Sequence, residues 1–292
     1  MKVIRSDVLG FCMGVRRAVE IARAAAAEPS AAPVFTLGPL IHNPRVLDEL
    51  KSRGVTALDE LPPDLDLRGV SVIIRAHGIA PAREQVLRER ECRVIDATCP
   101  TVKKSQLIAR QFEKAGVRLF IAGEAGHAEI AGLTGYAPSC IIVGSAAEAE
   151  AAAEKLHETD PNAKTALIAQ TTIDEQEYRS IGEAIKKYFP DLEIVNTICS
   201  ATKERQDSLR KLAHTVDALV IAGGRESANT RRLAAIAGEL PCVLAESAAD
   251  IPPAFAAFAT VGLCAGASTP DSVIEEIEEY LRALGKGMTG NE

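Results

Sequence analysis

Three cysteines stand where a thiolate could do chemistry. Cys12 lies in "GFCMGVRRAVEIA", Cys99 in "DATCPTVKKSQLIA" and Cys199 in "NTICSATKERQDSLRKLA". Each follows a strand-like run and precedes basic residues, which are Arg16 and Arg17, Lys103 and Lys104, and Lys203 and Arg205. An apolar-periodic helix comes next in all three. A thiol at a helix N-terminus beside cations has a lowered pKa, and the thiolate is the metal ligand. The spacings of 87 and 100 residues suggest one architectural unit used three times. Three such thiolates could share one metal centre and leave a position open for substrate. The alternative is three buried cysteines, and spacing alone does not choose between the two. Cys92, Cys140, Cys242 and Cys264 sit inside apolar runs and read as core. None of the seven forms a C-x-x-C pair, so the usual structural zinc spacing is absent.

Other polar groups gather at the ends of the predicted strands. His42, His77 and His127 fall in such loops and could offer N–H donors or positive charge to a phosphate. His157 and His214 lie in or beside helical stretches with no companion motif and read as surface or helix-end residues. Glu129 follows His127 by two positions. In a closed anionic site its pKa would rise, as suits a proton donor; the alternative is a solvated loop carboxylate. "GGRESANT", residues 223–230, joins a strand-like run to a helix-like one and offers backbone N–H groups and hydroxyls to an anion. It lacks the Gly-Lys-Ser/Thr of a phosphate-binding P-loop.

The elements that position these groups alternate. Short β-branched runs such as "VFTL", "VSVIIRA", "RVID", "VRLFIAG", "TALIAQ", "ALVIAG" and "TVGLCAG" are separated by helical patterns at 14–28, 44–53, 81–90, 101–115, 174–188, 202–214, 229–239 and 271–284. This predicts an α/β fold of mainly parallel sheets covered on both faces. The polar segments then lie at the C-terminal strand edge, where ligands bind in open parallel sheets. Pro44, Pro81, Pro100 and Pro270 fit the first helical position, and Asn43 and Thr269 fit N-caps. The expected division is three similar small α/β units, at 14–98, 99–196 and 197–284, the last completed by residues 1–13, with a tail at 285–292.

Composition narrows the classes. The net charge is −7, and no basic tract or aromatic platform suggests a nucleic-acid partner. No apolar run approaches the length of a membrane helix, and the N-terminus reads as a strand. A cytoplasmic protein is expected, in which cysteines are thiols or ligands rather than disulfides.

In order along the chain, "GFCMGVRRAV", "GPLIHNP", "AHG", "DATCP", "GHAE", "QTT", "ICSATKERQ", "SANT" and "AGAST" resemble the 4-hydroxy-3-methylbut-2-enyl diphosphate reductase (LytB) family, from about residue 4 to residue 284. The resemblance implies three α/β units around a central cavity with a 4Fe–4S cluster, in which Cys12, Cys99 and Cys199 hold three irons and the fourth is open. It implies a two-electron reductive dehydroxylation that yields isopentenyl and dimethylallyl diphosphate, the last step of the non-mevalonate isoprenoid pathway. A ferredoxin or flavodoxin would donate the electrons. By the same resemblance His42, His77 and His127 surround the diphosphate, and Ser227, Asn229 and Ser268 clamp it. Glu129, Thr171 and His127 serve proton transfer, and Thr202 lies near cluster and substrate. Two positions depart from the family's Asn-Ser-Ser-Asn clamp, Glu226 and Ala228, so weaker diphosphate binding is expected. Two other functions fit the same residues: a non-redox iron–sulfur Lewis-acid dehydratase, and a non-catalytic cluster protein or redox sensor.

Overall fold

The computed structural model describes residues 1–28, 32–62 and 64–287. Among them are three four-stranded sheets with only parallel pairing, so the fold is α/β. The chain forms two compact units, one of residues 1–16, 41–48 and 200–292 and one of residues 17–40 and 49–199.

The larger unit holds two sheets. One contains β2 (Val34–Leu37), β3 (Val55–Leu58), β4 (Ser71–Ile74) and β5 (Arg93–Asp96) in the order β3-β2-β4-β5. The other contains β6 (Arg118–Ala122), β7 (Ile141–Val143), β8 (Thr165–Ala169) and β9 (Glu193–Ile194) in the order β7-β6-β8-β9. Its helices include α3 (Pro81–Glu89), α4 (Pro100–Lys114), α5 (Ala128–Tyr136), α6 (Ala146–Thr159) and α7 (Glu175–Lys186). The smaller unit holds β1 (Lys2–Arg5), β10 (Ala218–Ala222), β11 (Cys242–Ala245) and β12 (Thr260–Ala265), ordered β1-β12-β10-β11. Its helices are α8 (Ser200–Ala213), α9 (Ala228–Ile236) and α10 (Asp271–Gly287). Helices α1 (Met13–Ala27) and α2 (Pro44–Ser52) give residues to both units.

Burial on both faces explains the continuous apolar strands. Successive strand side chains point to opposite faces. In β6, Leu119 and Ile121 enter one core cluster while Phe120 and Ala122 enter another. In β10, Leu219 and Ile221 divide in the same way from Ala218, Val220 and Ala222. No side of either strand can be polar, so the alternating pattern of a half-exposed sheet is lost.

Read from the same end, the three sheets share one strand order. The orders β3-β2-β4-β5, β7-β6-β8-β9 and β11-β10-β12-β1 place corresponding strands alike. The outer strand on one side is β5, β9 or β1 in turn, and each leads into one of the three cysteines. The strand β1 fills the fourth place of the last sheet through a register of Lys2 with Thr260 and Arg5 with Leu263.

Pro44, Pro81 and Pro100 begin their helices, and Asn43 caps α2 by accepting the N–H of Val46 at 3.2 Å. At α10 the outcome differs from expectation. The helix starts at Asp271, one residue after Pro270, and the Thr269 hydroxyl instead donates to the Ala222 carbonyl at 2.9 Å. Of the four cysteines expected in the core only Cys264 is fully buried. Cys92 and Cys140 are half-buried, and Cys242 is exposed because β11 is an outer strand. α10 continues to Gly287, into the expected tail, and residues 288–292 lie outside the described residues. No helix among the described residues is long and apolar enough to cross a membrane.

Candidate functional site

In the larger unit β6 runs out at Ala122 and the chain turns toward α5. A Cβ on Gly123 would stand 2.6 Å from Gln170 Oε1, so only glycine passes here without displacing that side chain. Gln170 is fully buried. Its Oε1 accepts the N–H of Glu124 at 3.0 Å and its Nε2 donates to Thr172 Oγ1 at 2.9 Å, which ties the β6 loop to the β8 loop. His127 is the N-cap of α5, and its Nδ1 accepts the N–H of Glu129 at 3.1 Å. A ring nitrogen that accepts carries no proton, so His127 presents Nε2–H as its donor. The ring of His77, in the loop after β4, meets that of His127 edge to face with centroids 5.3 Å apart.

Glu129 is buried, not a solvated loop carboxylate. Its Oε1 accepts the N–H of Thr171 at 2.8 Å and its Oε2 accepts the Thr171 hydroxyl at 2.7 Å. Burial pushes its carboxyl up to about 7, against the opposing effect of the two Thr171 hydrogen bonds. An acid poised there can hold and release a proton near neutral pH. When protonated, its O–H can turn to donate to Thr171 Oγ1, which is free to pass its own proton outward.

The three cysteines share one backbone setting. The N–H of Cys12 donates to Ala267 at 3.1 Å, that of Cys99 to Ala76 at 2.9 Å and that of Cys199 to Thr171 at 3.0 Å. Each acceptor lies in the loop after the strand paired with the one that leads into the cysteine: β12, β4 and β8. Each cysteine directly precedes a helix, Cys99 as the N-cap of α4. All three are half-buried. Burial pushes the Cys92 and Cys140 thiols up, and the Cys264 thiol to about 11, which disfavours them as ligands. Three soft sulfur donors in equivalent helix-start settings fit an iron–sulfur group.

In the smaller unit the segment 223–230 lies close against its neighbours. A Cβ on Gly224 would sit 2.5 Å from the His42 carbonyl oxygen. Gly223 has φ +149°, and a Cβ there would stand 2.8 Å from Thr230 Oγ1. The Ser268 hydroxyl donates to the same His42 carbonyl at 3.2 Å. Ser227 caps α9, its Oγ accepting the N–H of Thr230 at 3.4 Å. Asn229 is buried, and both its Nδ2 and its Oδ1 lack a hydrogen-bond partner among the described residues. A buried amide left open on both atoms is what a site awaiting a polar ligand looks like. Thr202 is buried on α8, Ala228 is buried, and Glu226 is exposed. His157 and His214 are exposed, and the ring of the first meets Tyr188 at a tilt and Phe189 edge to face, at centroid distances of 6.1 and 5.5 Å.

Gln170 was not singled out from sequence, and Arg205 was read there only as a cation following Cys199, yet both are fully buried and shape these loops. Gln170 directly precedes Thr171, and that adjacency was the available signal; Arg205 instead donates to the carbonyls of Gly10, Ala201 and Ala265.

The sequence profile of the LytB protein family matches residues 3–282. A 4-hydroxy-3-methylbut-2-enyl diphosphate reductase from Treponema denticola is 43% identical over 288 residues, covering 96% of this chain and 99% of the relative. The protein of the same name from Aquifex aeolicus is 38% identical and covers 98% of each chain. Among solved structures, the E-1-hydroxy-2-methyl-but-2-enyl-4-diphosphate reductase from Plasmodium falciparum superposes with a TM-score of 0.88 at 26% identity, over 95% of this chain and 87% of that one. A structure titled as (E)-4-hydroxy-3-methyl-but-2-enyl diphosphate reductase, the terminal enzyme of the non-mevalonate pathway, is 37% identical over 97% of this chain and 100% of that one, with a TM-score of 0.69. With a family profile spanning almost its whole length and relatives of this identity, the chain belongs to the LytB family.

Proposed function

We propose that the chain is a reductase that removes the hydroxyl group of 4-hydroxy-3-methylbut-2-enyl diphosphate and releases isopentenyl and dimethylallyl diphosphate. The substrate takes up two electrons and two protons. The C–O bond breaks, one proton leaves with the hydroxyl as water, and the other forms a C–H bond on the allyl fragment. Cys12, Cys99 and Cys199 would hold a 4Fe–4S cluster that, when bound, supplies the electrons and a Lewis-acidic iron. A low-potential protein such as a ferredoxin or flavodoxin would reduce it.

The chain's own residues carry the rest of the reading. The observation that bears most weight is the Glu129–Thr171 pair, a buried carboxyl raised to about 7 and held at 2.7 Å from a hydroxyl. Glu129 holds the proton and Thr171 Oγ1 relays it to the departing hydroxyl. His127 Nε2–H, with His42 and His77, donates to the diphosphate. Ser227, Asn229 and Ser268 bind its oxygens, supported by the N-terminus of α9. Thr202, buried on α8, would lie near the cluster and the substrate. The division into α/β units at 14–98, 99–196 and 197–284 with 1–13 belongs to this reading, and the shared strand order supports it.

The test is anaerobic turnover of the cluster-loaded chain with a reduced low-potential donor, with product analysis by mass spectrometry. Both five-carbon diphosphates should appear only when reductant is present. Absence of either product from loaded, reduced protein would sink the reading.

A further inference from the structure

The loops that lead into the three cysteines are not held in the same way. β5 ends at Asp96, three residues before Cys99, and β9 ends at Ile194, five before Cys199. Each of these loops fixes itself. Asp96 Oδ1 accepts the N–H of Thr98 at 2.9 Å, and Asn196 Oδ1 accepts the N–H of Ile198 at 2.9 Å. Both are the local side-chain-to-backbone turn that Asp and Asn favour.

The loop before Cys12 is longer. β1 ends at Arg5, seven residues earlier, and the chain passes through Gly10 at φ +71°. Its supports come from α8. The Ser208 Oγ accepts the N–H of Asp7 at 2.8 Å. Arg205 Nη2 donates to the Gly10 carbonyl at 2.6 Å, its Nε to Ala265 at 2.9 Å and its Nη1 to Ala201 at 3.3 Å. Arg205 is 1% exposed and is the largest fully buried side chain among the described residues. The Cys12 N–H closes on Ala267, two residues beyond Ala265. One guanidinium therefore joins the segment before Cys12, the end of β12 and the first turn of α8.

We propose that Arg205 is a positioning residue for Cys12, so that this ligand is presented by α8, the helix that begins one residue after Cys199, rather than by a turn of its own. The proposal rests on the reading of Cys12 as a cluster ligand. A planar fork with donors on three nitrogens reaches three carbonyls at once, and a lysine ammonium at the same place cannot.

The experiment compares the full-length chain with Arg205→Lys and Arg205→Gln. Cysteine alkylation by iodoacetamide is followed peptide by peptide on the iron-free chain, and cluster loss under chelator is followed on the loaded chain. In the variants Cys12 should react at least about fivefold faster, as expected when a local segment opens more readily than the fold around it. Cys99 and Cys199 should keep their rates, Cys264 should stay unlabelled, and the loaded variants should bleach faster than the parent. An unchanged Cys12 rate in a folded variant overturns the proposal. So does labelling of Cys264 alongside Cys12, which would make Arg205 a strut for the whole core. Failure of both variants to fold has the same meaning. The ligand reading fails separately, if Cys12→Ser still loads a cluster with an unchanged spectrum, and the alkylation result on the iron-free chain is untouched by that outcome.

Discussion

Glu129 gains its chemistry at the expense of stability. Its carboxyl has an ordinary value near 4.5 and is raised to about 7 in the fold. Between those values the folded chain binds more protons than the unfolded chain, so stability is full below pH 4.5 and falls as pH rises toward 7. The shift corresponds to about 3 kcal/mol at alkaline pH. Glu129→Gln keeps the shape and both contacts with Thr171, since its carbonyl can accept the N–H and its amide can donate to the hydroxyl. Thermal melts should show variant and parent alike at pH 4 and the variant more stable at pH 8. The same variant should lose most turnover, and the parent's rate should decline as pH rises through 7. Equal melting temperatures at pH 8 would show that the carboxyl is not raised. At the start of α9, Ala228 is buried in the first helical turn, and a hydroxyl there would add a donor to the proposed diphosphate clamp. Ala228→Ser should tighten diphosphate binding about tenfold or more, a charge-assisted hydrogen bond contributing roughly 1.5–3 kcal/mol. Calorimetry with inorganic diphosphate reads this directly.

At the scale of elements, close approach decides which residues are tolerated. The glycine pair before α9 admits the His42 carbonyl where a side chain would stand. Gly224→Ala must push backbone aside, with an expected loss of about 1–3 kcal/mol in denaturant melts. It should also weaken diphosphate binding, because His42 and Ser268 share that carbonyl. Strands were legible because β-branched runs buried on both faces have no other use for so little polarity. Two helices were not. α6 buries Ala149 and Ala153, and its exposed face carries alanines too, so no stripe distinguishes inside from outside. α5 is nine residues long with two glycines and apolar character all round. The short edge strand β3 has two exposed positions of four, which leaves little pattern to read. The strand-end placement of the cysteines and of His42, His77 and His127 followed from sequence, since helix starts and polar loops are local signals. The parts played by Arg205 and Gln170 did not. Their partners are backbone groups far along the chain, Gly10 being 195 residues from Arg205, and no spacing encodes that.

At the scale of the molecule, one strand order appears three times, and each repetition hands a cysteine from its outer strand to the helix that follows. The third repetition joins strands more than 250 residues apart, since Lys2 of β1 pairs with Thr260 of β12. That pairing fixes an order of events during synthesis. The segment carrying Cys12 leaves the ribosome early, yet its strand has no neighbour until residues 260–265 have emerged. Until then Cys99 and Cys199 can take up their helix-start positions while the first cysteine waits on a loose leader. On the proposed ligand set, all three thiols would be in place only after residues 260–265 have emerged. Ribosome-arrested chains halted before residue 260 should therefore leave Cys12 open to alkylation, and chains released at full length should shield it.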